Sequence, residues 1–86
     1  GSAGSNLPTV KISRENLDKI NIIELIILSE LENSKSEIRR LIKGNAIKLN
    51  NKIIDNDKLI ITNKIFEKNY LKLSIGKKRH IKIELD

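Results

Sequence analysis

Ser34-Lys35-Ser36-Glu37-Ile38-Arg39-Arg40-Leu41-Ile42-Lys43-Gly44-Asn45-Ala46-Ile47-Lys48-Leu49-Asn50 carries the decisive change of period in this 86-residue chain. Its first half repeats at helical spacing: Ile38, Leu41 and Ile42 stand at i, i+3 and i+4 and make one apolar stripe. Ser34-x-x-Glu37 is a capping box that starts the helix at Lys35. Gly44 is expected to end it, because glycine accepts the left-handed conformation common just beyond a helix C-terminus. The second half alternates. Ile47, Leu49 and Ile53 are expected to face a core while Lys48 and Lys52 face water, with Asn50-Asn51 supplying the turn.

Upstream, Asn21-x-x-Glu24 has the same capping form and predicts a helix of about ten residues, through Leu31 or Glu32. Ile22, Ile23, Leu25, Ile26, Ile27 and Leu28 surround nearly its whole circumference, so it is buried on more than one side and belongs to the core. A tight connection around Asn33 joins the two helices into a hairpin. Leu7-Pro8-Thr9-Val10 reads as extended, since proline turns its predecessor away from helix. Downstream, Asp55-Asn56-Asp57 breaks the alternation, Leu59-Ile60-Ile61 resumes an apolar run, and Ile65 to Asn69 has no readable period. Leu71, Leu73 and Ile75 alternate inward, as do Ile81, Ile83 and Leu85 around a turn containing Gly76, which predicts a terminal β-hairpin with one buried face. The expected architecture is α+β, a short helical hairpin packed on a small antiparallel, partly mixed sheet. Gly1-Ser2-Ala3-Gly4-Ser5 reads as an expression scar, residues 6–20 as a linker lead-in, and residues 21–86 as one domain without internal repeats.

Composition narrows the chemistry. The chain has no cysteine and one histidine, which excludes disulfides, thiolate metal sites and multi-histidine sites. The longest apolar stretch, Ile22 to Leu28, is interrupted by Glu24 and is far too short to span a bilayer, so no membrane partner is expected. No Gly-rich phosphate loop, cysteine nucleophile or triad context is present, and Asp55 with Asp57 reads as a turn rather than an acid–base pair. No cofactor is expected in this chain. The formal charge of +6 is unevenly spread. Residues 1–34 hold three basic and five acidic side chains, residues 35–86 fourteen basic and six acidic. The balance is therefore −2 against +8, which predicts a polyanion-facing surface in the second part.

On a helical wheel with Ile38 at zero, Lys35, Arg39, Lys43, Ser36 and Arg40 fall in order along one arc of about 140°. Four cations on one flank, near a capped N-terminus that favours anions, make a candidate phosphate-binding ridge. A solvated basic helix face is the plainer reading of the same pattern. The terminal hairpin supplies a second patch: Lys77, Lys78 and Arg79 crowd its turn, while Lys72, His80 and Lys82 occupy the non-core alternation. Charged hairpin tips also protect sheet edges from aggregation. Phe66 and Tyr70 are too few for an aromatic stacking platform; Phe66 is expected in the core and Tyr70 in a mixed packing role. Backbone and shape recognition of structured RNA fits this composition better than reading of single strands.

The stretch from Ser34 to Asn50 resembles the S-four family, named after a small-subunit ribosomal protein, in which a short helical hairpin precedes a β-hairpin and the start of the second helix binds structured RNA. The resemblance implies an S-four-like fold and RNA-binding roles for Ser34, Lys35, Arg39, Arg40 and Lys43, with Asn50 in the turn; Lys48 lies in the same motif. Asn45-Ala46 stands where a second glycine is frequent, and residues 55–69 match nothing in the family closely. Leu7-Pro8-Thr9 followed by Asn21-Ile22-Ile23-Glu24-Leu25 is similar to the entry into the appended C-terminal domain of bacterial-type tyrosyl-tRNA synthetases. Leu71-x-Leu73-x-Ile75-Gly76-Lys77-Lys78 with Ile81 and Ile83 resembles the strand pair that closes those enzymes. That resemblance implies a non-catalytic, tRNA-binding domain, tyrosine-specific through its parent, gripping the tRNA near its long variable arm and anticodon stem. ATP and Mg²⁺ would belong to an upstream catalytic domain. It further implies a monomeric fragment of a homodimeric parent, in the cytoplasm, with an organelle left open. A free-standing ribosome-associated S-four factor and the targeting domain of a pseudouridine synthase are the alternatives within the wider family.

Overall fold

The inward alternation of the last two strands builds the frame of the computed structural model, which describes residues 8–86. The segment read as an expression scar, with Asn6 and Leu7, lies outside the described residues. Strands β4 (Tyr70–Ile75) and β5 (Arg79–Leu85) pair antiparallel, with Leu71 opposite Ile83 and Leu73 opposite Ile81. All six alternating apolar residues of this pair are buried. Strand β2 (Ile47–Leu49) adds antiparallel to β4, and β3 (Lys52–Ile53) closes that edge. Thr9–Ile12, expected inside a lead-in, forms β1 and runs parallel to β5, giving the order β1-β5-β4-β2-β3. The Lys82 N–H donates to the Pro8 carbonyl at 2.9 Å, the Asp86 N–H donates to the Ile12 carbonyl at 2.8 Å, and Ile12 is buried. Only Val10 and Ile12 of that strand turn inward, too short an alternation to stand out as a strand by pattern.

Both helices pack on one face of this mixed sheet through a common core with Ile47, Leu73 and Ile83. Helix α1 (Ile22–Ser29) opens on a complete capping box: the Glu24 N–H donates to Asn21 Oδ1 at 2.9 Å and the Asn21 N–H to Glu24 Oε1 at 3.1 Å. It stops short of the expected Leu31–Glu32 end. The Ser29 hydroxyl donates to the Ile26 carbonyl at 2.6 Å and accepts from the Leu31 N–H, while Glu30 turns left-handed at φ 63°. Such local side-chain bonds compete with another helical turn.

Helix α2 (Lys35–Lys43) forms only half of its expected capping box. Ser34 Oγ accepts from the Glu37 N–H at 3.3 Å, but the Ser34 N–H donates to Glu32 Oε1 and the Glu37 carboxylate sits 3.7 Å from Arg40 Nε. At the other end Gly44 is not left-handed; its φ is −86°. Asn45 takes that role at φ 59°, with the Asn45 N–H donating to the Ile42 carbonyl and the Ala46 N–H to the Leu41 carbonyl at 2.9 Å. This is a Schellman exit with asparagine at the left-handed position, and asparagine is the residue after glycine that tolerates it best.

Asn50 and Asn51, at φ 51° and 70°, make the two-residue turn between β2 and β3. The turn fixes Leu49 opposite Lys52 and Lys48 opposite Ile53. Directly opposed residues share a face, so Ile53 follows Lys48 outward and is 52% exposed, contrary to the core position expected for it. Half-buried Ile54 packs on the core instead, its N–H donating to the Ile47 carbonyl at 2.8 Å. Beyond it, the Ile22 N–H donates to the Leu59 carbonyl and the Ile61 N–H to the Ile20 carbonyl, which ties the apolar run to the entry of α1. Phe66 is buried as expected. The segment without a period ends in a second tight turn, Lys68-Asn69, both left-handed between the bridged residues Glu67 and Tyr70.

Candidate nucleic-acid interface

The apolar stripe of α2 decides where its cations go. Ile38 and Ile42 are buried and Leu41 is half-buried, so Lys35, Ser36, Arg39, Arg40 and Lys43 all emerge exposed. Arg39 Nε lies 3.8 Å from Asp57 Oδ2, and Arg40 Nε 3.7 Å from Glu37, with the arginine side chains 56% and 80% exposed. Ion pairs this exposed are weak, so both guanidinium groups keep donors available for a phosphate. Among the described residues Lys35 and Lys43 enter no ion pair. The predicted ridge is therefore assembled as a continuous cationic flank.

The β4–β5 turn lies against both ends of α2. Gly76, left-handed at φ 66°, donates its N–H to the carbonyl of Ala46, just past the helix. Arg79 Nη1 donates to the Leu31 carbonyl at 3.1 Å and lies 3.6 Å from Glu32, just ahead of the helix. Arg79, expected as an RNA contact, also braces the hairpin against the α1–α2 connection, and its side chain stays 43% exposed. Glu32 is held below the ordinary glutamate range, first by the backbone N–H groups of Asn33 and Ser34 and then by the charge of Arg79. Lys77 and Lys78 remain exposed at the tip. His80 steadies them: Nε2 lies 2.9 Å from the Lys77 carbonyl, which can only accept, so that nitrogen carries the proton, and Nδ1 faces the Ser74 hydroxyl at 3.2 Å.

The remaining predicted residues are elsewhere. Lys48, Lys72 and Lys82 alternate away from the core onto the sheet face opposite the helices, with Lys72 directly across from Lys82. Lys82 is partly neutralised there, 3.5 Å from Glu84 and 4.6 Å from the centroid of the Tyr70 ring. Lys11, absent from the predicted set, joins this face opposite Glu84; reading its segment as a lead-in hid its alternation with Ile12. Asn50 is engaged inside the domain. Its Nδ2 donates to the Ile65 carbonyl at 2.8 Å and its Oδ1 accepts from the Lys72 N–H at 3.0 Å. The structure thus presents the α2 ridge and, on the neighbouring hairpin, the Lys77–Lys78 tip, sets the sheet lysines on the opposite sheet face, engages Asn50 within the domain, and leaves Arg79 exposed with one nitrogen bonded to the Leu31 carbonyl.

Among the described residues no group of His, Cys, Asp and Glu side chains could hold a metal ion, and no helix is long and apolar enough to cross a membrane. What the geometry defines is a small α+β module whose chief surface feature is a cationic helix flank braced by a basic hairpin. The sequence profile of the tyrosine–tRNA ligase SYY-like C-terminal domain matches residues 2–83, starting inside the segment read as a scar. The chain belongs to that family. It is 56% identical to the tyrosine–tRNA ligase of Pelagibacter ubique (strain HTCC1062), over 98% of this chain and 21% of that protein. The tyrosine–tRNA ligase of Rickettsia massiliae (strain Mtu5) is 44% identical over 99% of this chain and 21% of its own length. That of Brucella abortus (strain 2308) is 33% identical over 96% and 20%. The chain spans about a fifth of the length of these relatives.

Proposed function

We propose that this domain is the tRNA-gripping, non-catalytic part of a tyrosine–tRNA ligase, with the α2 flank as its principal phosphate-binding surface and Lys77 and Lys78 as a second contact. The observation that carries the reading is the exposure of Lys35, Arg39, Arg40 and Lys43 along one flank while Ile38 and Ile42 anchor the other side of the same helix. Positive charge in that geometry neutralises phosphates and fixes the register of an RNA without reading its bases. Ser34 caps the helix and leaves further N–H groups at its N-terminus directed at an incoming anion.

The braces give the surface its rigidity. Arg79 and Gly76 tie the hairpin to Leu31 and Ala46 on either side of α2, and His80 steadies the tip from within the hairpin, so both basic patches are presented in a fixed relation before RNA arrives. Tyrosylation itself, with its ATP and Mg²⁺ requirement, belongs to the remaining length of the ligase, as does dimer formation. The test is binding of the purified chain to a tyrosine tRNA with a long variable arm, against a tRNA with a short one. Tighter binding to the first, without tyrosine-dependent ATP–pyrophosphate exchange, is expected. Equal affinity for both would refute recognition through the long arm, and exchange activity would refute the non-catalytic assignment.

A further inference from the structure

Residues from the segment between β3 and β4 build one wall of a pocket of about 210 Å³ against the β2–β3 hairpin. Its walls include the apolar side chains of Leu49, Ile54, Leu59 and Ile65. Lys52 and Lys64 stand at its rim, both exposed and in no ion pair among the described residues. Glu67 adds a carboxylate. The Asn50 amide ties the Ile65 carbonyl to the backbone of Lys72, so the walls are held apart before any ligand enters.

The volume is below the usual range of small-molecule sites, about 300–1,000 Å³, and suits a single flat group. Lys52 shares the face of Leu49, the side on which the helices pack. Asp57, between the pocket residues Ile54 and Leu59, lies 3.8 Å from Arg39 on the α2 flank. The pocket therefore adjoins the phosphate-binding ridge on the same side of the sheet.

We infer that this pocket receives one unstacked nucleobase of a structured RNA whose backbone crosses α2. The base packs on the aliphatic walls, as extruded bases do on apolar side chains, and Lys52 and Lys64 hold its flanking phosphates. Glu67 accepts a hydrogen bond from an exocyclic amino group, which favours cytidine over uridine. This inference rests on the RNA-binding reading and adds base recognition to it.

The test labels the chain at isoleucine δ1 methyl groups and backbone amides and titrates it with three stem-loop RNAs. They are identical except for one extruded cytidine, one extruded uridine, or none. The methyls of Ile54 and Ile65 are expected to shift only with an extruded base, and the cytidine RNA to bind about tenfold tighter than the fully paired one, the order expected for burying about 55 Å² of apolar base surface at roughly 25 cal/mol per Å². Lys52→Gln with Lys64→Gln should abolish that advantage. Glu67→Gln should bring uridine level with cytidine, because a carboxamide can also donate to the uridine carbonyl. Unmoved Ile54 and Ile65 methyls, with shifting amides at Arg39 and Lys43, would overturn the pocket and leave the ridge standing. No shift at either place would overturn both.

Discussion

Asn50→Ala is the most informative single change for the fold. The side chain makes two partly buried bonds, to the Ile65 carbonyl at 2.8 Å and from the Lys72 N–H at 3.0 Å, on a left-handed backbone at φ 51°. Each bond contributes about 0.5–1.5 kcal/mol net, and alanine at a left-handed position adds about 1 kcal/mol of backbone cost. The total is about 2–4 kcal/mol, a large share of the roughly 5–15 kcal/mol that holds a typical small domain together. For a domain of this size the corresponding fall in Tm is about 8–32 °C. Asn50→Gly loses the same bonds without the backbone strain, so its cost is about 1–3 kcal/mol. The assay is urea and thermal unfolding followed by circular dichroism. Asn50→Ala within about 0.5 kcal/mol of the parent, or Asn50→Gly costing more than Asn50→Ala, would refute the strut.

Three further outcomes follow from the same geometry. Gly44→Ala should be neutral or mildly stabilising, since φ is −86° and an added Cβ meets the Arg40 and Leu41 carbonyls at an ordinary 3.5 and 3.8 Å, whereas Asn45→Ala should cost about 1 kcal/mol; reversed effects in urea unfolding would contradict the Schellman assignment. Glu32 has its folded pKa depressed, so its stabilising contribution is full above the ordinary glutamate range and is lost as pH falls through the lowered value. Stability measured against falling pH should therefore drop less in Glu32→Gln than in the parent, and identical profiles would remove the stabilising hold of the Asn33 and Ser34 N–H groups and of Arg79 on Glu32. Lys77→Gln with Lys78→Gln should weaken RNA binding and leave unfolding unchanged, while Arg79→Gln should lower stability; the opposite division, by salt titration and melting, would undo the separation of contact from strut.

What was legible in the sequence had a local cause. The Ile38, Leu41, Ile42 stripe and the caps at Asn21 and Ser34 depend on neighbours within one helical turn, and α2 with its cationic flank forms where that pattern puts it. The paired alternation around Gly76 likewise yields β4 and β5. Ile53 was misplaced because its face depends on the register set by Asn50-Asn51, which reverses a one-residue choice for the whole strand. Lys68-Asn69 escaped notice because the turn carries no glycine, though both residues adopt positive φ. The bonds that Arg79 and Asn50 make within the domain reach partners 48 and 15 residues away, a carbonyl in each case, and backbone carbonyls leave no mark in side-chain patterns.

The central claim, that α2 grips RNA phosphates, is tested most directly by the salt dependence of tRNA affinity in Arg39→Ala, Arg40→Ala double-substituted protein. Both side chains are exposed and the Ile38–Ile42 stripe beneath them is untouched, so the fold should persist. Each lost phosphate contact should flatten the slope of log affinity against log salt by somewhat less than about one unit. Weaker binding and a slope shallower by somewhat less than about two units are expected for the folded double variant. Parental affinity with a parental slope would contradict that claim.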